Sequence, residues 1–335
     1  MVNLQNEFME FNNKIKLSYE ENSELREKRD ILLKDLKDNM ADDVPKFSSF
    51  MQGSNAMHTG INPDNSDFDI DIGLEFEIDK DDYLDPVKVK TWVKDALVRY
   101  ARSVEIRRSC VTVTYQRKNE PIFHVDFAIY AASNKDNKLY IAKGKENSIE
   151  EKRYWELSNP HDLIKLVNNK FQDKDDMEQY RRVIKYLKKW KSIHFKSAGN
   201  EAPTGIALTI LAYHYFNPAF EVNNYSGNKI YIDLLALENL ALSIKKCFKL
   251  VQHQGVTYNT ISLNLPVEPF NNLFEKMTLL QQDGFYKKIV DMLNKLNEVK
   301  ETSSRAKACQ LLIDIFGEDF PQTVDRSFVG TAESA

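Results

Sequence analysis

Hydrophobic and polar residues alternate strictly from position 68 to position 77, which predicts a β-strand with one buried face. The apolar face is formed by Phe68, Ile70, Ile72, Leu74 and Phe76. The opposite face is formed by Asp69, Asp71, Gly73, Glu75 and Glu77. Residues two apart on a strand lie roughly 6.5–7 Å apart and point the same way. The pattern therefore predicts two carboxylates, those of Asp69 and Asp71, side by side on the polar face.

Two further strand-like runs occupy residues 111–115 and 123–130, and the polar segment 116–121 between them predicts a hairpin. Asp126 lies within the second run, between apolar neighbours that point to the other face. A carboxylate in such surroundings is costly unless it is paired or binds a metal ion. We therefore expect Asp126 to lie beside Asp69 and Asp71 as a third ligand rather than to stand exposed on an edge.

Helical periodicity dominates the remainder of the chain. Residues 4–40 predict either a pair of helices or one long helix, and residues 47–51 are interpreted as the end of a helix. Further helices are predicted at 87–102, 177–191, 204–216, 232–250 and 271–296. The expected fold class is α+β, with a mixed-sheet lobe at 1–159 that includes the N-terminal helix, a helical lobe at 160–322 and a flexible tail at 323–335.

Composition restricts the classes of function. The 335 residues carry 46 basic and 50 acidic side chains, a net charge of −4, so nothing in the charge requires a nucleic-acid partner. The three cysteines, Cys110, Cys247 and Cys309, form neither a disulfide framework nor a zinc motif. The N-terminus is too polar for a signal peptide, and no apolar run reaches the roughly 18 residues that span a bilayer, so we expect a cytoplasmic protein without a membrane partner.

The pair Asp69 and Asp71 has two simpler interpretations besides a catalytic metal site. Acidic residues on the solvated face of an edge strand commonly serve only solubility. A helix-loop-helix calcium site requires a glycine where Ile72 stands and a glutamate where Ile78 stands, so that alternative fails. With Asp126 as a third carboxylate, the pattern favours a site for two hard cations, Mg²⁺ or Mn²⁺.

Several polar residues are candidates for phosphate binding. Gly53 permits close approach of the backbone to a phosphate and Ser54 supplies a hydroxyl, although Gly-Ser is also an ordinary loop dipeptide. Lys185 and Lys188 share one helix face, which is either a phosphate-binding face or a solvated one. Thr204 follows Pro203 and is either a helix N-cap or a phosphate contact, with capping favoured. Tyr213 and Tyr215 fit base stacking and a core role equally well.

These motifs together resemble a known family. The segments Gln52-Gly53-Ser54, Asp69-Ile70-Asp71 and His124-Val125-Asp126, with Thr59, are similar to the motifs of polymerase-β-like nucleotidyltransferases. The chain most resembles the cGAS/DncV-like nucleotidyltransferases of bacterial anti-phage (CBASS) defence, and the resemblance extends over nearly its whole length. It implies a bilobal fold in which nucleoside triphosphates bind between the lobes.

The resemblance implies an enzyme that makes a cyclic oligonucleotide messenger, by default a purine cyclic dinucleotide from ATP and GTP. Asp69, Asp71 and Asp126 would be catalytic and would hold two metal ions, with Asp126 also a candidate base. Gln52, Gly53, Ser54, Lys185, Lys188 and Thr204 would bind the nucleotide. A separate effector protein would receive the product, and a ubiquitin-like conjugation enzyme would act on the C-terminus at Ala335. The zinc-bearing DNA-binding insertion of the animal homologue has no counterpart here, so no DNA requirement is expected.

Two other functions remain open from the sequence. One is a nucleotidyltransferase that makes linear oligonucleotides or modifies a protein or small molecule. The other is a catalytically dead binding protein, against which the complete aspartate triad argues. The bases, the linkage and the ring size of the product are not encoded in any motif that we can identify.

Overall fold

The structure is a computed structural model and is described for residues 2–17, 23–62, 68–98, 102–117, 120–195 and 201–323. These residues form two units. The sheet unit consists of Leu17–Lys170 together with Asn264–Asn271. The helical unit consists of Met1–Lys16, Phe171–Leu263 and the described residues from Asn272 onward. Most of the predicted turn at 62–66 lies outside the described residues, as do Asp67 and the centre of the predicted hairpin turn.

The sheet unit is built on a mixed seven-stranded sheet. Its strands are β1 (Phe47–Met51), β2 (Phe68–Phe76), β3 (Arg102–Ile106), β4 (Val111–Arg117), β5 (Glu120–Ala131), β6 (Leu139–Lys143) and β7 (Tyr154–Ser158). The helices are α2 (Ser23–Asn39), α3 (Gly53–Ala56), α4 (Pro86–Leu97) and α5 (Pro160–Asn168). The strand order is β1-β2-β5-β4-β3, and β6 joins β5 to β7. β2 and β5 run parallel, whereas the other neighbouring pairs are antiparallel.

The alternation predicted for β2 is confirmed by burial. Its apolar residues Ile70, Ile72, Leu74 and Phe76 are at most 1% exposed and lie in one hydrophobic core. The core also contains Val125 and Phe127 of β5, together with residues of α2 and α4. With this face buried, the carboxylates of β2 are fixed on the opposite face, because a one-residue shift would exchange the two sets.

The helical unit is mainly α-helical. Its helices are α1 (Gln5–Ile15), α6 (Lys174–His194), α7 (Gly205–Tyr215), α8 (Asp233–Lys246), α9 (Leu279–Glu301) and α10 (Arg305–Phe316). Two small hairpins accompany them, formed by β8 (Phe220–Val222) with β9 (Lys229–Tyr231) and by β10 (Lys249–His253) with β11 (Val256–Thr260). Phe8 and Phe11 of α1 pack on Tyr186 of α6 at ring-centroid distances of 5.4 and 5.3 Å.

Several sequence-based boundaries require correction. Residues 47–51 form strand β1, not the end of a helix, because they pair along the edge of β2 from Phe47–Phe76 to Met51–Ile72. Of the two alternatives predicted for residues 4–40, the structure shows the pair of helices, α1 and α2, which belong to different units. The helices predicted at 87–102, 232–250 and 271–296 are α4, α8 and α9 with different ends. Among the described residues, β3 begins at Arg102 and β10 begins at Lys249, inside the ranges predicted as helices. Residues 271–278 form turns before α9 begins.

The two units differ from the predicted lobes 1–159 and 160–322 in three places. Residues 1–16 pack with the helical unit, whereas 160–170 and 264–271 belong to the sheet unit. Lys138 Nζ, for example, binds Glu268 at 2.5 Å within the sheet unit. The predicted lobes were consecutive ranges of the chain, so they could not include a late segment such as 264–271 that packs with an earlier unit.

Candidate functional site

Three carboxylates converge on the polar face of the sheet. Asp69 and Asp71 project from β2, and Asp126 projects from the parallel strand β5 directly opposite Asp71. One oxygen of each carboxylate lies within 4.8 Å of the others. Asp69 is exposed, whereas Asp71 and Asp126 are half-buried. The structure thus brings together the three aspartates that the sequence pattern selects.

Local structure determines where Asp126 points. Its neighbours Val125 and Phe127 are completely buried in the core, so the side chain between them must emerge on the opposite face. There the Thr112 hydroxyl of β4 donates a hydrogen bond of 2.5 Å to Asp126 Oδ1. The hydrogen bond from this hydroxyl offsets part of the free-energy cost of half-burying the Asp126 carboxylate.

The donor set of this cluster fits a divalent cation. All three ligand groups are carboxylates, and hard cations such as Mg²⁺ and Mn²⁺ prefer oxygen ligands. Like charges at this separation repel one another, and a bound cation relieves that repulsion. Burial and the adjacent negative charge of Asp126 raise the pKa of the Cys110 thiol to about 12.

The Gly53 turn lies against this cluster. Gly53 begins helix α3 with a φ of +66°, and a β-carbon on it would overlap the carboxylate of Asp71. The Gln52 backbone N–H donates to Asp71 O at 3.1 Å, and Ser54 O accepts from the N–H of the buried Thr59 at 2.9 Å. Both the left-handed backbone and the close approach require glycine at position 53.

Gln52 is oriented by a residue that the sequence analysis did not identify. The Tyr130 hydroxyl donates to Gln52 Oε1 at 2.9 Å, and Tyr130 is only 2% exposed. Burial, together with the charge of Asp71, raises the pKa of Tyr130, so the phenol remains a hydrogen-bond donor. The amide nitrogen of Gln52 is left to contact other groups.

The other predicted phosphate-binding residues belong to the helical unit. Lys185 and Lys188 are half-buried residues of α6, and Lys188 Cε lies 3.7 Å from the β-carbon position of Gly205 at the start of α7. Thr204 caps α7, as favoured from the sequence, because its side-chain oxygen accepts from Ala207 N at 3.2 Å. Its hydroxyl hydrogen is not used by that bond.

Lys185 lies in positively charged surroundings. Burial, followed by the charge of Lys16 and then those of Arg181 and Arg182, lowers its pKa to about 8, and Glu178 opposes this effect. Arg182 is neutralised by Asp233, to which it donates two hydrogen bonds of 2.7 and 2.9 Å. A bound anion would stabilise the positive charge of this half-buried lysine and of its cationic neighbours. Tyr213 and Tyr215, considered from the sequence for base stacking or a core role, are both half-buried.

The sequence pattern did not predict several further polar contacts on the same face of the sheet. Thr114 Oγ1 lies 2.8 Å from His124 Nδ1, and Glu75 Oε1 lies 2.5 Å from His161 Nε2. The ring of Phe50 lies 4.2 Å from that of His161 and covers Gly73. The alternation in 111–115 does reveal that its two threonines share a face. Only the register between β4 and β5 reveals that this is the face of Asp126.

Comparison with known proteins agrees with the motif resemblance. Residues 45–130 match the family model described as the nucleotidyltransferase domain of DncV-like cyclic GMP-AMP synthases. A cyclic GMP-AMP synthase from Escherichia albertii is 27% identical over 171 residues, which is 48% of this chain. The matched segment spans about a third (35%) of that relative's length.

Solved structures match over nearly the whole chain. Vibrio cholerae DncV cyclic AMP-GMP synthase in complex with the linear intermediate 5′ pppA(3′,5′)pG has a TM-score of 0.72 at 14% identity, with 96% of this chain and 97% of that chain covered. The Bradyrhizobium diazoefficiens CD-NTase CdnG in complex with GTP has a TM-score of 0.69 at 14% identity, with coverages of 94% and 96%. These matches confirm the predicted α+β fold of polymerase-β-like nucleotidyltransferases.

Proposed function

Because residues 45–130 match the family model of the DncV-like nucleotidyltransferase domain, we propose that the protein is a nucleotidyltransferase that joins nucleoside triphosphates into a cyclic oligonucleotide. The observation that carries this proposal is the convergence of Asp69, Asp71 and Asp126 within 4.8 Å beside the Gly53 turn. A phosphate-approaching turn next to a triple carboxylate suits transfer of a nucleotidyl group.

Asp69, Asp71 and Asp126 are proposed to hold two divalent ions, Mg²⁺ or Mn²⁺. When bound, such ions activate an attacking hydroxyl and neutralise charge on the leaving pyrophosphate. Asp126 is also the candidate acceptor for the proton of that hydroxyl, since its carboxylate lies in the same cluster. The ribose hydroxyl forms the new bond to the α-phosphorus as the bond to pyrophosphate breaks.

Six residues are proposed as nucleotide contacts. In the sheet unit, Gly53 and Ser54 would receive the β- and γ-phosphates through backbone N–H groups and the serine hydroxyl, and the Gln52 amide would add a further donor. In the helical unit, Lys185 and Lys188 would supply positive charge, and the hydroxyl hydrogen of Thr204 is free of its cap bond and suited to a phosphate oxygen.

The product is proposed to be a purine cyclic dinucleotide made from ATP, GTP or both. The similar proteins support this choice, because one is named a cyclic GMP-AMP synthase and another is described with a linear intermediate of adenine and guanine. Release of a linear dinucleotide and a second attack in the same site would close the ring. We further propose a role in anti-phage defence, in which a separate effector protein receives the messenger.

The decisive experiment is incubation of the purified protein with all four nucleoside triphosphates and Mg²⁺ or Mn²⁺. Phosphatase treatment and mass spectrometry then identify any resistant cyclic species and its bases. A double substitution, Asp69→Ala with Asp71→Ala, should abolish the product, whereas the matched control Asp81→Ala with Asp82→Ala removes two exposed carboxylates from a turn of the sheet unit and should not.

The possible outcomes separate the proposed function from its alternatives. Substantial synthesis by the Asp69→Ala/Asp71→Ala variant contradicts the proposed site. Pyrophosphate release with products that phosphatase degrades favours a linear oligonucleotide, and release that requires an added protein or small molecule favours a different acceptor.

The C-terminal residue Ala335 lies outside the described residues. We propose it, on the family resemblance, as the end that a ubiquitin-like conjugation enzyme joins to another molecule to activate synthesis. Deletion of the last few residues should then lower product formation in cells but not in the purified protein. Unchanged product formation in cells would exclude activation through the tail.

A further inference from the structure

Two side-chain ladders cross the polar face of the sheet. In one, Asp71 of β2, Asp126 of β5 and Thr112 of β4 are register partners across three neighbouring strands. In the other, Asp69, His124 and Thr114 occupy the equivalent positions two residues away. Each β4 threonine hydrogen-bonds the β5 side chain beside it, but only in the first ladder is that side chain a carboxylate of the cluster.

The bond between Thr112 and Asp126 is short and sheltered. Thr112 is 1% exposed, and its Oγ1 lies 2.5 Å from Asp126 Oδ1. Cys110 Sγ lies 3.6 Å from Thr112 Oγ1. Because Thr112 is almost completely buried, water does not readily replace its hydroxyl as the partner of Asp126.

This bond counters a repulsion that the cluster itself creates. Three carboxylates within 4.8 Å push one another apart when they are ionised, and Asp126 can relieve this by rotating its side chain away. A hydroxyl that donates to Oδ1 restricts rotation of the Asp126 side chain and so keeps its carboxylate beside those of Asp69 and Asp71. Groups that orient metal ligands in this way typically change metal affinity by about 10- to 100-fold when they are removed.

We propose that Thr112 is a positioning residue of the metal site, which holds Asp126 in its ligand conformation before any ion arrives. This inference rests on the proposed function, since it assigns Thr112 to the same carboxylate site. The simpler alternative is that Thr112 is present only because β-branched residues suit strands. Valine has the same branched shape without the hydroxyl, so Thr112→Val separates the two explanations.

The test measures binding of Mn²⁺ to the full chain without nucleotide, by electron paramagnetic resonance of the free ion. Wild type is compared with Thr112→Val, with Thr112→Ser, which restores a hydroxyl, and with Thr91→Val. Thr91 is the matched control, because its hydroxyl donates to Val87 O at 3.0 Å within α4 of the same unit. We expect about 10-fold weaker binding in Thr112→Val, and wild-type binding in Thr112→Ser and Thr91→Val.

Two other results would overturn the inference in distinguishable ways. If Thr112→Val binds Mn²⁺ as tightly as wild type, Thr112 does not position the ligand, and the proposed function is unaffected. If the Asp69→Ala/Asp71→Ala variant binds Mn²⁺ as tightly as wild type, the carboxylate cluster is not the metal site, and both proposals fail.

Discussion

Gly53 lies so close to Asp71 that a β-carbon at position 53 would overlap the Asp71 carboxylate. Gly53, which begins the proposed phosphate-binding turn, is therefore packed directly against a carboxylate of the cluster. Any side chain at position 53 must displace either the turn or the carboxylate, and both belong to the proposed site.

We predict that Gly53→Ala lowers nucleotidyl transfer at least about 100-fold, since small misplacements of reacting groups cost rates of this order. The variant combines two effects, because position 53 also has a φ of +66° that alanine adopts reluctantly. Gly255→Ala is the matched control. Its φ is +76°, but no atom lies within 4 Å of the added carbon. Pyrophosphate release by both variants checks the prediction, and equal rates would show that the overlap with Asp71 is unimportant.

A second prediction concerns the stability of the helical unit. Asp233 is completely buried and accepts hydrogen bonds from Arg182, Gln179 and Tyr186. Asp233→Asn leaves the buried Arg182 guanidinium without its counter-charge, and breaking such a pair costs about 3–5 kcal/mol. Denaturant unfolding should show a loss of this size in the free energy of unfolding.

The control for this prediction is Glu178→Gln, which breaks an exposed ion pair with Lys174 on the same helix. An exposed pair contributes about 0–1 kcal/mol, so little change is expected. A loss below about 1 kcal/mol in Asp233→Asn would mean that the network tolerates an uncompensated arginine.

The sequence predicted the placement of the three aspartates in the sheet unit better than it predicted the ends of the helices. Alternation in β2 fixes which face carries Asp69 and Asp71, because burial of Ile70 and Ile72 leaves no second arrangement. Burial of one apolar face likewise fixed Asp126. These inferences depend only on a period of two and on the cost of burying a carboxylate.

Features that depend on register or on distant segments were not accessible. The segment 47–51 has no strict alternation, and it becomes a strand because the edge of β2 offers backbone partners. Thr112 and Tyr130 acquire their roles only when β4, β5 and the Gly53 turn are assembled. The hydrophobic pattern along one strand does not show which residues of other strands or turns will lie beside it.

A third prediction follows from the lowered pKa of Lys185, which falls to about 8 from an ordinary value of 10.5. Below pH 8 both folded and unfolded chains carry the proton, and the folded chain bears the full cost of the half-buried charge. Between pH 8 and 10.5 the folded chain binds fewer protons than the unfolded one, so this cost declines as the pH rises.

Lys185→Met should therefore melt at a higher temperature than wild type at pH 7, and the difference should shrink towards pH 10. Lys174→Met, which removes an exposed lysine from the same helix, should show no such trend. Melting curves across this pH range provide the measurement. A lower melting temperature for Lys185→Met at pH 7 would contradict a destabilising charge at this position.

The last prediction concerns the orientation of Gln52. Tyr130→Phe removes the hydroxyl that donates to Gln52 Oε1 and frees the amide to rotate, while the ring stays in its buried site. A neutral hydrogen bond contributes about 0.5–1.5 kcal/mol, so KM for the nucleoside triphosphate should rise by about two- to tenfold with a smaller effect on kcat. Tyr231→Phe is the control, since its hydroxyl bonds Asp176 in the helical unit. An unchanged KM in Tyr130→Phe would mean that Gln52 is held by its backbone alone, whereas an equal rise in both variants would indicate a general loss of stability.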